Sequence, residues 1–155
     1  HRSEKRPKVA QRGDLVQVDT IHVVVGGLYV YTLLDVFSRW AYARAVTKIN
    51  THASLRFVRD AQERFPASFS MLQSDHGSEF STYFSEQIGV SHRHSRVRTP
   101  NDNGHLERFN RTLREECFAG VKRSLGAYRY SLSQYLPHYN KGGIVLTQVP
   151  TTCSG

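Results

Sequence analysis

Apolar and polar residues alternate along the first third of the chain in a pattern that predicts β-strands. Residues 15–20 follow a period of two, which places Asp19 on the face opposite the valines of that segment. Gly26-Gly27 then separates two apolar runs and favours a tight hairpin, because both glycines tolerate positive φ. The second run continues to residue 36, and a third covers residues 40–46. We expect three antiparallel strands in a meander.

The remainder of the chain predicts helices that alternate with two short strands. The predicted elements are a helix from 51 to 65 capped by Asn50 or Thr51, a strand at 68–74, a short helix at 80–88, a strand at 90–96, a long helix from about Asn103 to Phe118, and a helical segment at 128–139 interrupted by Pro137. The fold class is therefore α/β, with a mixed five-stranded sheet flanked by helices. We expect a basic arm at 1–12, a core at 13–120, and a C-terminal helix and tail at 121–155.

Composition narrows the function classes. A chain of 155 residues suits one domain, and no apolar run is long enough to suggest a membrane segment. Cys117 and Cys153 are far apart, which argues against a disulfide framework or a zinc ribbon and favours a reducing cytoplasm. The net charge of +8, carried mostly by arginine, favours a polyanionic partner such as nucleic acid. A basic, solvated surface with no partner is the alternative.

Three acidic residues stand out by their settings. Asp19 lies on the first strand, Asp75 ends the fourth, and Glu107 lies one turn into the long helix. Carboxylates brought together would repel each other by about 4 kcal/mol per pair at 4 Å and an effective dielectric of 20. Mg²⁺ would offset that repulsion, since it prefers carboxylate oxygens. The alternatives are a strand-edge role for Asp19, an Asx turn at Asp75, and a surface ion pair of Glu107 with Arg111.

Four segments occur together in order: Val18-Asp19-Thr20, Leu34-Asp35-Val36-Phe37-Ser38-Arg39, Ser74-Asp75-His76-Gly77-Ser78-Glu79-Phe80, and residues 100–114 with Asn103-Gly104-His105-Leu106-Glu107-Arg108 at their centre. Over residues 13–118 the chain closely resembles the integrase catalytic core of DDE transposases from bacterial insertion sequences and of retroviral integrases. The resemblance implies an RNase H-like fold and a metal-binding catalytic triad of Asp19, Asp75 and Glu107.

The same resemblance implies the chemistry and its setting. Two Mg²⁺ or Mn²⁺ ions would support cleavage of phosphodiesters at the ends of a DNA element and joining of the 3′-hydroxyl to target DNA. It further implies DNA as the partner, a homo-oligomeric assembly without membrane association, and a bacterial, nucleoid-associated location in the cytoplasm.

The chain also departs from the family pattern. Only 31 residues separate Asp75 from Glu107, a few fewer than is usual. The Arg-Pro-His expected after Tyr139-Asn140 is replaced by Lys141-Gly142-Gly143, and an upstream helix-turn-helix region is not seen. Two alternatives follow: a degenerate transposase fragment that binds DNA or a partner without catalysis, and an RNase H-like nuclease that only hydrolyses.

Basic and polar residues near the acidic positions are the candidates for DNA contact. These candidates are Arg96, Arg98, Asn103, His105, Arg108, Arg111 and Arg114. A solvated basic face is the alternative interpretation. We expect Asp35 to be structural, Glu79 and Glu115 to be solvated or ion-paired, and His92 and His94 to be strand-surface or DNA-facing residues rather than a metal pair.

Overall fold

The computed structural model describes residues 9–75, 77–94 and 104–147, with side chains described as far as Lys141. Its centre is a five-stranded mixed sheet of order β3-β2-β1-β4-β5. The sheet carries helices on both faces, and this arrangement confirms the predicted α/β class.

The first three strands form the predicted meander. Strand β1 (Val16–Val24) pairs antiparallel with β2 (Leu28–Asp35), and β2 pairs antiparallel with β3 (Ala41–Val46). Three residues connect β1 to β2, and Gly26 supplies the positive φ of 82° that this turn requires. The hairpin prediction is confirmed, with one more loop residue than the glycine pair alone suggests.

The other two strands lie on the far side of β1. Strands β4 (Met71–Ser74) and β5 (Ser91–His94) are parallel to each other, and β4 is parallel to β1. Helix α1 (Thr51–Arg64) leads to β4, and α2 (Thr82–Ile88), preceded by a 3₁₀ turn at Ser78–Phe80, leads to β5. Asn50 caps α1 by accepting a hydrogen bond from Ala53 N at 2.8 Å.

Two more helices follow the sheet. Helix α3 (Gly104–Thr112) continues directly into a π-helical turn at Leu113–Cys117, which wider i→i+5 hydrogen bonds define. Helix α4 (Leu125–Thr147) completes the fold. None of the helices in the described part of the chain combines the length and the apolar character needed to cross a bilayer.

The period-two pattern of the central strands divides the core between the two faces of the sheet. On one face Val16, Val18, Tyr31 and Leu33 pack against α1 and α2. On the other face Ile21, Val30 and Leu34 pack, together with the alanines of β3, against α3 and α4. Asp19 shares the parity of Ile21 in β1 and therefore lies on the α3 face.

Helix α4 covers the outer edge of β3, which would otherwise expose unpaired backbone groups. Asn140 pairs with the backbone of Ala41 in both directions: its Oδ1 accepts from Ala41 N and its Nδ2 donates to Ala41 O, each at 2.9 Å. Arg129 Nε donates to Ala45 O at 3.0 Å. The C-terminal helix thus packs against the same sheet as the predicted core.

Pro137 does not interrupt α4, contrary to the sequence prediction. Proline removes one helical N–H and strains the carbonyl four residues earlier. Both Pro137 and Ser133 are exposed, so the freed carbonyl is open to water. Tyr128 and Leu132 anchor the preceding turns in the core, and this packing outweighs the local loss.

Candidate active site

Parallel pairing brings Asp19 and Asp75 to neighbouring positions. Gln17 of β1 lies opposite Gln73 of β4. Continuing this register by two residues places Asp19 beside Asp75, the first residue beyond β4. Both acids therefore lie on the α3 face, where β1 and β4 begin to separate. The Asp75 carboxylate also accepts from Gly77 N at 2.9 Å, so the Asx turn considered for Asp75 is present and does not exclude a second role.

Asp19 lies in a setting that disfavours its negative charge. The pKa of its carboxyl is raised to about 6, chiefly by burial and also by the charges of Asp75 and Glu79. Hydrogen bonds from the Thr20 backbone and from Asn110 act in the opposite direction but do not compensate. A positive charge at this position would remove the penalty, which makes Asp19 a candidate cation ligand.

Glu79 is the acid that joins this pair. It is buried, and its Oε2 accepts a hydrogen bond from Thr20 Oγ1 at 2.9 Å. A Cβ added to Gly77 would come within 2.7 Å of Glu79 Oε1 and 3.1 Å of Asp75 Oδ1, so a larger residue there would displace the Glu79 carboxylate from the turn. The expectation of a solvated or ion-paired Glu79 was wrong, because the turn after β4 folds this residue inward.

Helix α3 is held against β1 at two points. The backbone N–H of Leu106 donates to Gln17 Oε1 at 3.2 Å, and Asn110 Nδ2 donates to Asp19 Oδ2 at 3.2 Å. Gln17 and Asn110 are both buried. Neither residue was singled out from the sequence as part of a site, although the period-two pattern does place Gln17 and Asp19 on one face of β1.

Glu107 lies between these two points on α3. It precedes Asn110 by three residues and so shares its side of the helix, and its side chain is exposed. No three His, Cys, Asp or Glu side chains within 9–75, 77–94 and 104–141 come close enough to hold one metal ion. Asp19 and Asp75 are neighbours in the structure, but neither Glu79 nor Glu107 completes a three-ligand metal site with them.

The chemistry of the donors fits a divalent cation at Asp19 and Asp75. The described side chains around Asp19 and Asp75 offer carboxylate, amide and hydroxyl oxygens, which suit Mg²⁺ or Mn²⁺ rather than a soft metal. In the described part of the chain, Thr32 Oγ1 and Asn110 Oδ1 are buried on this face without a hydrogen-bond partner. Thr32 lies directly opposite Asp19 on β2. The surroundings of Asp19 and Asp75 therefore contain further oxygen acceptors and an excess of negative charge.

The predicted DNA-contacting residues form an exposed face where the structure describes them. Arg108, Arg111 and Arg114 are exposed along α3 and its π-helical continuation. His105 is half-buried, and its pKa is lowered by burial and by the charges of Arg39 and Arg108. Arg96, Arg98 and Asn103 lie outside the described residues.

Asp35 has the structural role expected of it. It is fully buried; its Oδ1 accepts from Gly13 N at 3.0 Å, and its Oδ2 accepts from Ser38 N and Ser38 Oγ at 3.0 and 2.6 Å. Three donors satisfy this carboxylate and tie the start of β1 to the turn before β3. It therefore takes no part in the acidic pair.

The expectation that His92 faces the surface or DNA was wrong. Its ring packs edge-on against Phe84 at 5.2 Å and is hydrogen-bonded on both nitrogens, to Ser74 Oγ at 2.7 Å and to Ser85 Oγ. Burial and the nearby His94 lower the pKa of His92 to about 4. The residue is thus a neutral internal link between β4, β5 and α2.

Comparisons with known families identify the architecture. Two family models, each described as an integrase core domain, match residues 9–100 and residues 88–142. Together they extend past the segment 13–118 over which the sequence motifs occur and include most of the region that forms α4. None of the curated proteins compared with the chain matches it.

Solved structures give the same result for the fold. The catalytic core domain of BIV integrase superposes with a TM-score of 0.63 at 16% identity and covers 86% of this chain and 98% of its own. A chain of the simian T-cell lymphotropic virus intasome, solved in complex with PP2A regulatory subunit B56 gamma, also gives 0.63 at 16% identity and covers 85% of this chain. The present chain spans about half of that second chain, 51% of its length.

Proposed function

The chain belongs to the integrase core domain family and has its RNase H-like fold, and from this premise we propose that it is the metal-dependent catalytic core of a transposase or integrase. In this proposal the core cuts a phosphodiester at the end of a DNA element and joins the freed 3′-hydroxyl to target DNA. The reaction is a polynucleotidyl transfer, and it needs no covalent link between protein and DNA.

One observation carries the proposal. Strands β1 and β4 bring Asp19 and Asp75 together on the side of the sheet to which α3 is bound, in a place where burial and the neighbouring acids disfavour Asp19 as a free anion. A fold gains no stability from such a pair. Divalent cations held there by Asp19, Asp75 and Glu107 would activate the attacking oxygen and stabilise the leaving oxygen of a phosphodiester.

The remaining residues prepare this site. Asn110 orients the Asp19 carboxylate through its hydrogen bond, and Gln17 fixes the first turn of α3, which carries Glu107. Arg108, Arg111 and Arg114 bind phosphate oxygens of the DNA by charge-assisted hydrogen bonds. Because Glu107 lies on the same side of α3 as Asn110, we propose that its carboxylate closes onto Asp19 and Asp75 once DNA is bound.

A plasmid assay tests the proposal without knowledge of the element ends. Purified protein with Mg²⁺ or Mn²⁺ is expected to nick supercoiled plasmid and to join a labelled oligonucleotide to it. Glu107→Gln should abolish both activities, whereas Glu115→Gln, an equivalent change at an exposed position in the π-helical turn, should abolish neither. Equal activity of the two variants would remove Glu107 from the site.

The alternatives give different products in this assay. A nuclease that only hydrolyses would nick the plasmid but yield no joined oligonucleotide. A degenerate fragment would bind DNA and show no metal-dependent nicking in any variant. The separation of Glu107 from the other two acids favours the degenerate fragment over the nuclease. Metal-dependent nicking and joining by the wild type decide between the degenerate fragment and the proposed catalytic core.

A further inference from the structure

A cleft of about 420 Å³ lies beside the end of β1, outside the acidic pair. Residues 21–23 form one wall, Arg114 of the π-helical turn forms another, and residues 118–121 close it together with Arg123 and with Tyr128 of α4. The ring of His22 points to the other face of the sheet, where it packs edge-on against Tyr29. Of the described residues that line the cleft, none carries a carboxylate, whereas Arg114 and Arg123 are basic and have exposed side chains. The cleft therefore presents a concentrated positive potential.

The floor of the cleft is rigid. Phe118 stacks on Tyr128 with ring centroids 4.0 Å apart and an interplanar angle of 8°. Both rings are buried, and Phe118 N donates to Leu113 O at 2.8 Å, which completes the π-helical turn. Val121 N then donates to Phe118 O at 3.0 Å and fixes the loop that leads to Arg123. Such π-helical turns occur often at functional sites, and this one directs Arg114 toward the cleft.

The cleft lies a short and calculable distance from the acidic pair. His22 follows Asp19 by three residues of extended strand, which span roughly 10 Å. Arg114 follows Glu107 by about two helical turns, which again span roughly 10 Å. Successive nucleotides of one DNA strand rise about 3.4 Å along the helix axis. The distance between the acids and the cleft thus corresponds to about three nucleotides.

We propose that this cleft binds a backbone phosphate of the DNA substrate, about three nucleotides from the phosphodiester that is attacked. Arg123 and Arg114 bind the phosphate oxygens through their planar guanidinium groups. This inference rests on the proposed function, and it adds Arg123, which is not among the DNA-contacting residues predicted from the sequence, to the DNA-binding surface.

Adjacent residues provide a matched test. Arg123 lines the cleft, whereas its neighbour Lys122 is exposed and does not. Binding of a fluorescent 20-base-pair duplex of random sequence is measured by anisotropy across a range of NaCl concentrations, for the wild type and for Arg123→Ala, Arg123→Lys and Lys122→Ala. Circular dichroism and thermal unfolding verify that each variant is folded.

A phosphate contact makes a defined contribution to salt dependence. Arg123→Ala should lower the slope of log affinity against log salt by about 0.9 and weaken binding at low salt on the order of tenfold. Arg123→Lys should retain the slope and lose only part of the affinity, and Lys122→Ala should match the wild type within about twofold.

Equal weakening by Arg123→Ala and Lys122→Ala would overturn the inference, since long-range charge alone would then explain the effect, and so would an Arg123→Ala variant that binds like the wild type. Neither result affects the plasmid activity of the wild type, on which the proposed function depends. Conversely, the expected decrease in the salt-dependence slope of Arg123→Ala, together with a wild type that is inactive on plasmid, would support the phosphate site and refute the catalytic proposal.

Discussion

Replacing Asp19 by Asn is expected to stabilise the metal-free protein at neutral pH. The substitution keeps an oxygen that can accept the hydrogen bond from Asn110, and it removes a negative charge that is partly desolvated and lies near Asp75 and Glu79. Most single substitutions lower the stability of a protein. An increase would therefore be specific evidence for the electrostatic strain described above.

The structure sets the size of the effect. The pKa of Asp19 rises from its ordinary value of 3.8 to about 6. At 1.36 kcal/mol per pKa unit, the charged form is disfavoured by at most about 3 kcal/mol in the folded state. Asp19 retains some exposure to solvent, which screens part of this penalty, so we expect a gain of about 1–2 kcal/mol in the free energy of unfolding at pH 7.5.

The sign of the pH dependence follows from linkage. Because the pKa of Asp19 is higher in the folded than in the unfolded state, the folded protein binds the proton more tightly between about pH 4 and pH 6. The penalty from Asp19 is thus absent below about pH 4, grows as the pH rises to 6, and is constant above it. The advantage of Asp19→Asn should follow the same course.

Urea unfolding in EDTA, monitored by the fluorescence of the single tryptophan, Trp40, measures this difference at pH 4.5 and pH 7.5. Glu86→Gln, at an exposed position on α2, is the control and should match the wild type at both pH values. Added Mg²⁺ should then stabilise the wild type but not Asp19→Asn. The reasoning would be refuted if Asp19→Asn were less stable than the wild type at pH 7.5. It would also be refuted if the difference in free energy of unfolding were the same at both pH values.

Three further predictions concern the supports of the site and the fold. Gln17→Leu should lower the free energy of unfolding in urea titrations by about 1–3 kcal/mol, because it leaves the buried Leu106 N–H unpaired. Asn140→Ala should cost about 1–2 kcal/mol by the same measurement, since both hydrogen bonds to Ala41 are lost; no change would mean that water replaces them fully. The Cε1 proton of His92 should titrate in NMR spectra with a midpoint near 4, and a midpoint above 6 would contradict its buried, neutral state.

Local sequence patterns were sufficient for the elements whose determinants lie within a few residues. The meander follows from period-two alternation and the Gly26 turn, and α1 follows from its Asn50 cap and helical spacing. These predictions were confirmed because the hairpin turn, the helix cap and the residue periodicity each depend on interactions between residues close together in the sequence. Predictions were less accurate where contacts with a distant segment determine the structure. The predicted interruption at Pro137 is one example, because α4 continues past this residue with its apolar side packed against β3.

The acidic positions were identified from strand and helix placement, but their geometry depends on contacts between remote segments. The sequence places Asp19 and Asp75 near strand ends. Only the parallel pairing of β1 with β4 brings them side by side, and only the turn at Gly77 brings Glu79 inward to join them. Residues that are 56 and 60 positions apart in the chain cannot reveal such a contact by periodicity.

What the sequence by itself determined was therefore the class of the fold, the order of its elements and the identity of the acidic residues that resemble a family triad. What only the tertiary structure decided was which of those acids meet. Gln17 and Asn110 bind α3 to β1 through side chains whose partners lie 89 and 91 residues away, and Glu107 stays exposed beside them. The reason is physical: hydrogen bonding and desolvation between remote groups depend on distance in space, which periodicity along the chain does not encode.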